Sequence, residues 1–421
     1  MAITAPRGTR DILPGESARW IRLEDIMREV CALFGYEEIR TPIFEKTELF
    51  VRGVGDGTDI VQKEMYTFVH RDKESFALKP EGTAGVVRAF TENKLYAAPQ
   101  PTKLYYITPC FRAERPQKGR YRQFHQFGIE VLGSKSAAVD AEVMAVAVNI
   151  FERTGAQNIE LNINSVGCPK CRGAYHEKLK AYLKEKLDIL CEDCLNRYEK
   201  NPMRVLDCKE DGDKLTDAPF MIDYLCEECG DHFDELKRHL AAMDIAYIVN
   251  PRIVRGLDYY EKTAFEFVSK EIGAQGTVCG GGRYDGLSDL IGDIASPGIG
   301  FGLGLERLLL LTEATLTAPQ RTFDVYVACI GRKAGEAASR IVKHLRDNDV
   351  SAERDYMERS LKAQMKYADK LGVRYVLLLG EAELESGRAI FKEMQSGRQV
   401  ELPVAGIEEA LIKALNEEET K

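Results

Sequence analysis

Along residues 16–35 the apolar side chains recur at helical spacing: Trp20, Leu23, Ile26, Met27, Val30, Cys31 and Phe34. Gly35 can then stop the helix in a left-handed turn. Beyond Pro42 the pattern changes to glycine-punctuated segments. Short runs at 75–78, 104–108, 126–132, 159–163, 264–269 and 300–303 predict strands. Their connections are mostly too long for a meander, so a mixed, mainly antiparallel α+β sheet is expected. Residues 168–240 are different, with two charged amphipathic helices expected around 174–189 and 230–241. From 322 the order becomes strand 324–330, helix 336–347, strand 351–354, helix 361–371 and strand 373–379. Two shorter strands near 388–402 and a helix over 407–416 complete it. The chain therefore divides into a core (1–167 and 244–320), a module inserted into it (168–243) and a C-terminal α/β domain (322–421). Residues 314–321, with Pro319, read as the linker.

The 421-residue length suits two to four domains at roughly 100–200 residues each. No apolar run approaches the ~20 residues of a membrane helix. The N-terminus has no apolar signal core, so a cytoplasmic protein without membrane association is expected. With 58 Lys+Arg against 67 Asp+Glu, the net charge of −9 opposes non-specific nucleic-acid binding but leaves room for a locally basic site. Of 11 cysteines, those at 168, 171, 191, 194, 208, 226 and 229 crowd one segment, and six of them form Cys-x-x-Cys pairs. In a reducing compartment that pattern points to metal before disulfides.

Four clusters could carry chemistry. Residues 112–122 hold Arg112, Arg115, Lys118, Arg120 and Arg122 against one acid, Glu114. Such a basic hairpin suits phosphate contact, because Arg forks bind phosphate oxygens bidentately; a solvated surface loop is the alternative. Tyr121 and Phe124 could stack on a base. Val254-Arg255-Gly256-Leu257-Asp258-Tyr259-Tyr260 could clamp an anion or hold a structural ion pair. Gly280-Gly281-Gly282-Arg283 permits close backbone approach to a ligand, or is an ordinary turn. In Gly298-Ile299-Gly300-Phe301-Gly302-Leu303-Gly304 every second residue is glycine, as if one strand face pressed against something planar or another backbone.

In this order the clusters resemble bacterial histidyl-tRNA synthetases, of class II of the aminoacyl-tRNA synthetases, along the whole chain. The helix ending near Gly35, with Ile39-Arg40-Thr41-Pro42, resembles class II motif 1. Residues 111–126 resemble motif 2, and 300–307 motif 3. Residues 255–260 and 281–285 resemble the two motifs peculiar to the histidine family. The resemblance implies an antiparallel class II catalytic core, an anticodon-binding C-terminal domain and a homodimer. The implied reaction joins L-histidine to ATP as an adenylate, with Mg2+ on the phosphates, and passes it to the terminal ribose of tRNA(His). Arg255 and Arg112 are then the catalytic cations. Glu114, Arg120, Phe124 and Arg307, with Arg112, hold ATP. Glu81, Gly82, Thr83, Gln126, Glu130, Tyr259 and Tyr260 hold histidine, and Arg115 and Gln117 meet the tRNA acceptor end. Lys79 and Ala113 depart from the family pattern at flanking positions. A non-enzymatic paralogue would degrade Arg112, Arg255 and Arg307 and lack the C-terminal domain, whereas this chain keeps them all.

The cysteines lie outside that constellation. Zinc-site spacing suggests a structural Zn2+, and the expected ligands are Cys191, Cys194, Cys226 and Cys229, because both pairs are expected to open short helices and could face each other. Cys208 and His232 are further candidates.

Overall fold

The computed structural model describes residues 2–71, 73–206, 208, 210–254, 256–272, 276–317 and 322–419, with side chains omitted at 200 and 416–419. Two compact units, Met1–Ala318 and Pro319–Lys421, divide the chain.

The first unit is built on an eight-stranded sheet. Across it run Glu37–Glu38, Thr102–Phe111, Gln123–Leu132, Gly298–Gly304, Thr277–Arg283, Glu261–Ser269, Ile159–Ser165 and Ile248–Val249. Only the two outermost pairings are parallel. The pleat sends successive side chains to opposite faces, which fixes the roles of the central strands. Phe127, Ile129, Val131, Ile299, Phe301, Leu303, Phe265 and Phe267 enter one hydrophobic core. Covering it are Trp20 to Cys31 of the helix Glu16–Leu33, the helix Ala137–Thr154 and Phe233, Leu236 and Leu240 of Glu227–Ala242. Each such buried apolar side chain contributes about 1.5–3 kcal/mol. The opposite face carries Gln126, Glu130, Glu266 and the even-numbered glycines 300 and 302.

The helix Ala137–Thr154 has no counterpart in the sequence reading. It is apolar nearly all round, with Ala141, Val143, Met144, Val146, Ala147 and Ile150 all buried, so no amphipathic stripe marks it. The 280–282 glycines are not a turn but lie inside a central strand. A Cβ at Gly281 would stand 2.7 Å from Phe301 Cβ and 2.8 Å from the Phe265 ring, so the close approach is to the sheet's own neighbours. Segment 168–243 folds onto the first unit. Tyr175, Leu179, Met203, Leu206 and Met221 share one apolar cluster with Val87, Phe90, Leu132 and Tyr260.

In the second unit the strands run Ala352–Arg354, Val325–Cys329, Tyr375–Leu379, Arg388–Glu393, Gln399–Pro403 across the sheet. The first three are mutually parallel and the last two antiparallel. Helices Arg332–Asp347 and Ile407–Glu419 bury Ala338, Ile341, Leu345 and Leu411 against one face.

Candidate active site

A cavity of about 300 Å³ opens on the polar face of the large sheet. Its wall includes Glu81, Thr83, Arg112, Glu114, Arg120, Phe124, Gln126, Tyr259, Tyr260 and Arg307. Residues from 81 to 307, drawn from strands, hairpin and helix termini, therefore converge on one space.

The basic hairpin forms its floor. Gln117 and Arg120 exchange backbone hydrogen bonds of 3.0 and 2.9 Å, closing a tight tip. Gly119, at φ +74°, lies against Leu310, where a Cβ would stand 2.9 Å from the Leu310 side chain. Arg112 Nε donates to the Pro80 carbonyl at 2.9 Å, and its guanidinium lies 5.3 Å from the Phe124 ring centroid. Arg120 pairs with Glu114 at 3.0 Å. Arg307, on the helix Leu305–Leu311, donates to the Thr277 carbonyl. Burial, together with the nearby Arg120 and Arg112 cations, brings its pKa down to about 10. Among the described residues neither Arg112 nor Arg307 forms an ion pair. Guanidiniums at a cavity wall with no salt-bridge partner have the chemistry to meet anionic oxygens.

The opposite end is built for a small polar ligand. Glu81 accepts from the Thr83 and Ala84 amides at 2.6 and 2.9 Å, capping the helix Thr83–Glu92. Gln126 Oε1 accepts from the Gly82 amide at 3.0 Å. Glu130 lies behind the cavity wall, fully buried. It accepts from Thr83 Oγ1 at 2.7 Å, from Tyr106 at 3.3 Å and from Tyr284. Tyr259 packs 4.6 Å from the Tyr260 ring and 5.6 Å from Tyr284. Arg115 and Gln117 are exposed at the hairpin, outside the cavity. Arg255 lies outside the described residues.

Three contributors escaped the sequence reading. Glu306 accepts from the His125 amide at 2.9 and 3.1 Å and meets its ring at 3.0 Å, bolting helix to hairpin strand. Glu266 reaches the cavity because it shares the strand parity of Ala264, opposite to Phe265 and Phe267. Tyr106 completes the hydroxyl set on Glu130. Of the alternate glycines, Gly300 leaves room for the Ile129 carbonyl and the Glu130 side chain of the adjacent strand and Gly302 for Gln126, while Gly302 and Gly304 also line the cavity.

The expected zinc quartet does not assemble. Cys226 and Cys229 gather with Cys168 and Cys171, while Cys191 and Cys194 gather with Cys208 and Asp211. Spacing fixes geometry within a Cys-x-x-Cys pair, but helix packing chooses between pairs. His232 is not a ligand of either group; its Nε2 meets Asp140 at 2.9 Å.

Residues 8–308 match the family model described as histidyl-tRNA synthetase, and 324–414 match that of an anticodon-binding domain. The chain belongs to the histidyl-tRNA synthetase family. A histidine–tRNA ligase of Caldanaerobacter subterraneus subsp. tengcongensis is 55% identical, over 98% of this chain and 100% of that one. One of Clostridioides difficile is 53% identical, over 99% and 100%. The crystal structure of the apo histidyl-tRNA synthetase of S. aureus superposes with a TM-score of 0.82 at 38% identity, covering 97% of this chain and 99% of that one.

Within this family member Glu130 supplies a pH signature. Burial pushes its carboxyl up to about 8, against the Tyr284, Thr83 and Tyr106 hydroxyls, which favour the charge. The folded state thus holds a proton that the unfolded chain releases in the ordinary carboxylate range. Its stabilisation is complete below that range and is lost as pH rises towards 8, at about 1.4 kcal/mol for each tenfold fall in proton activity. Glu130→Gln should remove this component. Denaturant midpoints between about pH 5 and 8.5 should fall more steeply for the wild type than for the variant; parallel profiles would sink the assignment.

Proposed function

We propose that the chain ligates L-histidine to tRNA(His), first as histidyl-adenylate and then by transfer to the terminal ribose. The observation that carries this reading is one cavity that joins Arg112 and Arg307, neither of them in a salt bridge among the described residues, to a polar recess of Glu81, Thr83, Gln126, Tyr259 and Tyr260. Attack of a carboxylate on the α-phosphate expels pyrophosphate through a pentacovalent phosphate. That step needs in-line placement and positive charge more than proton transfer. Arg112 is positioned for the α-phosphate and carboxylate, and Arg255 is proposed as the second catalytic cation. Glu114 and Arg120 hold the adenine edge and the distal phosphates, with Phe124 and Arg307 bracketing the base. Mg2+ accompanying the nucleotide would neutralise phosphate charge, and the Glu266 carboxylate on the wall would be suited to hold it.

Histidine occupies the recess of Glu81, Gly82, Thr83, Gln126, Tyr259 and Tyr260. Glu130 orients that wall from behind through Thr83 and Tyr284. A pocket of paired polar groups rejects analogues that would leave those groups unsatisfied, by about 10⁴–10⁵ in the best cases. Arg115 and Gln117, exposed on the hairpin, meet the acceptor end, and residues 322–421 bind the anticodon. The reading includes a homodimer, which the exposed apolar side chains of Ile43, Phe44, Phe68 and Val69 support. It includes a cytoplasmic site of action; among the described residues no helix is long and apolar enough to cross a membrane. It also includes structural Zn2+ in segment 168–243.

Histidine-dependent ATP–pyrophosphate exchange tests the first step, and charging of tRNA(His) the second. Exchange with histidine and not with other amino acids is expected. Folded protein without exchange would overturn the reading.

A further inference from the structure

We propose that segment 168–243 holds two separate four-donor Zn2+ centres, one of Cys168, Cys171, Cys226 and Cys229 and one of Cys191, Cys194, Cys208 and Asp211. The inference rests on donor geometry, independently of the ligase reading.

All three Cys-x-x-Cys pairs have the same local construction. Cys168, Cys191 and Cys226 are the N-cap residues of the helices Pro169–Lys184, Glu192–Lys200 and Glu227–Ala242. Cys171, Cys194 and Cys229 are the third residues of those helices. Side chains at these two positions face one another across the first turn, which is why two intervening residues bring the sulfurs together. The Cys168 amide donates to Cys171 Sγ at 3.3 Å, tying the two members of that pair together.

In the first centre two helix starts meet. The sulfur separations are 3.5 Å for Cys168–Cys171, 3.8 Å for Cys168–Cys226, and 3.6 Å for both Cys171–Cys226 and Cys171–Cys229. A zinc–sulfur bond of about 2.3 Å places the corners of a tetrahedron about 3.8 Å apart. A disulfide would bring two sulfurs to about 2.05 Å. The four thiols thus already stand near the edge length that a tetrahedral ion requires, with no fifth position open, as in structural sites.

The second centre joins the start of Glu192–Lys200 to the loop carrying Cys208 and Asp211. Cys191 and Cys208 sulfurs lie 3.8 Å apart, and all four donor atoms lie within 4.8 Å of one another. Asp211 is fully buried, an expensive place for a carboxylate unless it is well used. Its Oδ2 accepts from the Cys191 amide at 2.8 Å and its Oδ1 from Lys214 at 2.8 Å. Those donors orient it as outer-shell partners orient a ligating carboxylate. Three thiolates with one carboxylate suit Zn2+ better than Mg2+ or Ca2+.

The surrounding fold shows why two staples are needed. Between the helices the segment is mostly short turns, at Pro202–Val205, Gly212–Lys214 and Met221–Tyr224. Hydrogen bonds also tie each centre to the chain around it, and for the first centre they reach Tyr260 of the cavity wall. Arg172, next to Cys171, donates to the carbonyls of Val166, at 3.0 Å, and of Tyr260. Arg252 donates to the carbonyl of Gly212, beside Asp211, at 2.6 Å.

The test is metal counting on the full chain, purified without chelator from zinc-supplemented cells. Native mass spectrometry and elemental analysis should give about two Zn2+ per chain. Chelation should remove them in two mass steps, exposing about four thiols in one and about three in the other. Cys168→Ser with Cys226→Ser, and separately Cys191→Ser with Cys208→Ser, should each retain about one Zn2+. Asp211→Asn should weaken only the second site, by tenfold or more. One ion or none in the wild type overturns the proposal, as does a mass deficit from disulfides, or one variant pair losing all the metal while remaining folded. If the variants do not fold, the two wild-type mass steps decide.

Discussion

Arg112→Ala should lower kcat/KM for histidine-dependent pyrophosphate exchange by about 10²–10³, the usual cost of deleting one preorganised donor to developing charge. The reason lies in how little Arg112 must do on binding. Its Nε is already fixed on the Pro80 carbonyl and its guanidinium already rests on Phe124, so the cation pays no ordering cost when phosphate arrives. Arg307 stands close by, its pKa brought down to about 10 by burial first and then by the Arg120 and Arg112 cations. Arg112→Lys should recover only part of the loss, because an ammonium keeps the charge but cannot keep both the Pro80 contact and a forked one. Histidine affinity, measured calorimetrically without ATP, should change less than fivefold or so. A loss confined to histidine binding would make Arg112 a binding residue and remove it from the chemistry. Arg255→Ala is expected to give the same profile.

How much of this was legible beforehand depends on whether a feature is local. The helix Glu16–Leu33 and the strands through 126–132 and 300–303 follow from apolar periodicity, because each buries one face. The helix Ala137–Thr154 carries apolar residues at its less buried positions too, Ala138, Val139, Ala145 and Val148, and so leaves no clean stripe to detect. In the site, Arg112, Phe124 and Gln126 were found because they crowd one short motif. Glu266 and Glu306 were not, because nothing in the residues beside them marks a carboxylate that meets the site only through sheet parity and helix docking. Cysteine pairing failed for the same reason. Two residues of spacing fix a pair of sulfurs, but only tertiary packing decides which helix start faces which. Alternate glycines allow close approach by something planar or by another backbone; which neighbours fill the space at 300 and 302, the Ile129 carbonyl with Glu130 and the Gln126 side chain, is set by the pairing of adjacent strands.

Arg283 serves the fold, and breaking its pair with Asp140 should produce the largest loss of stability. Arg283 and Asp140 are both fully buried. The guanidinium donates to both Asp140 oxygens, to the carbonyls of Ser134 and Ser136 at 2.8 and 3.2 Å, and to Asp285 at 2.9 Å. Asp140 also accepts from Thr263 at 2.6 Å and meets His232 at 2.9 Å. Burial opposes the Asp140 charge, yet Arg283 and His232 overcome it and hold the carboxyl below its ordinary range. Its contribution is therefore present above that range and disappears as pH falls through the lowered value. At neutral pH Asp140→Ala strands a buried cation and should cost about 3–5 kcal/mol, read from urea or guanidinium unfolding. Arg283→Met combined with Asp140→Leu removes both charges and should recover most of that loss, since a well-packed apolar pair can equal a buried ion pair. Asp140→Ala costing under about 1 kcal/mol, or a double variant no better than the single, would show that the pair does not hold the strand Thr277–Arg283 to the helix Ala137–Thr154. The cavity wall would then have to be fixed by the Glu306–His125 bolt and by backbone pairing alone.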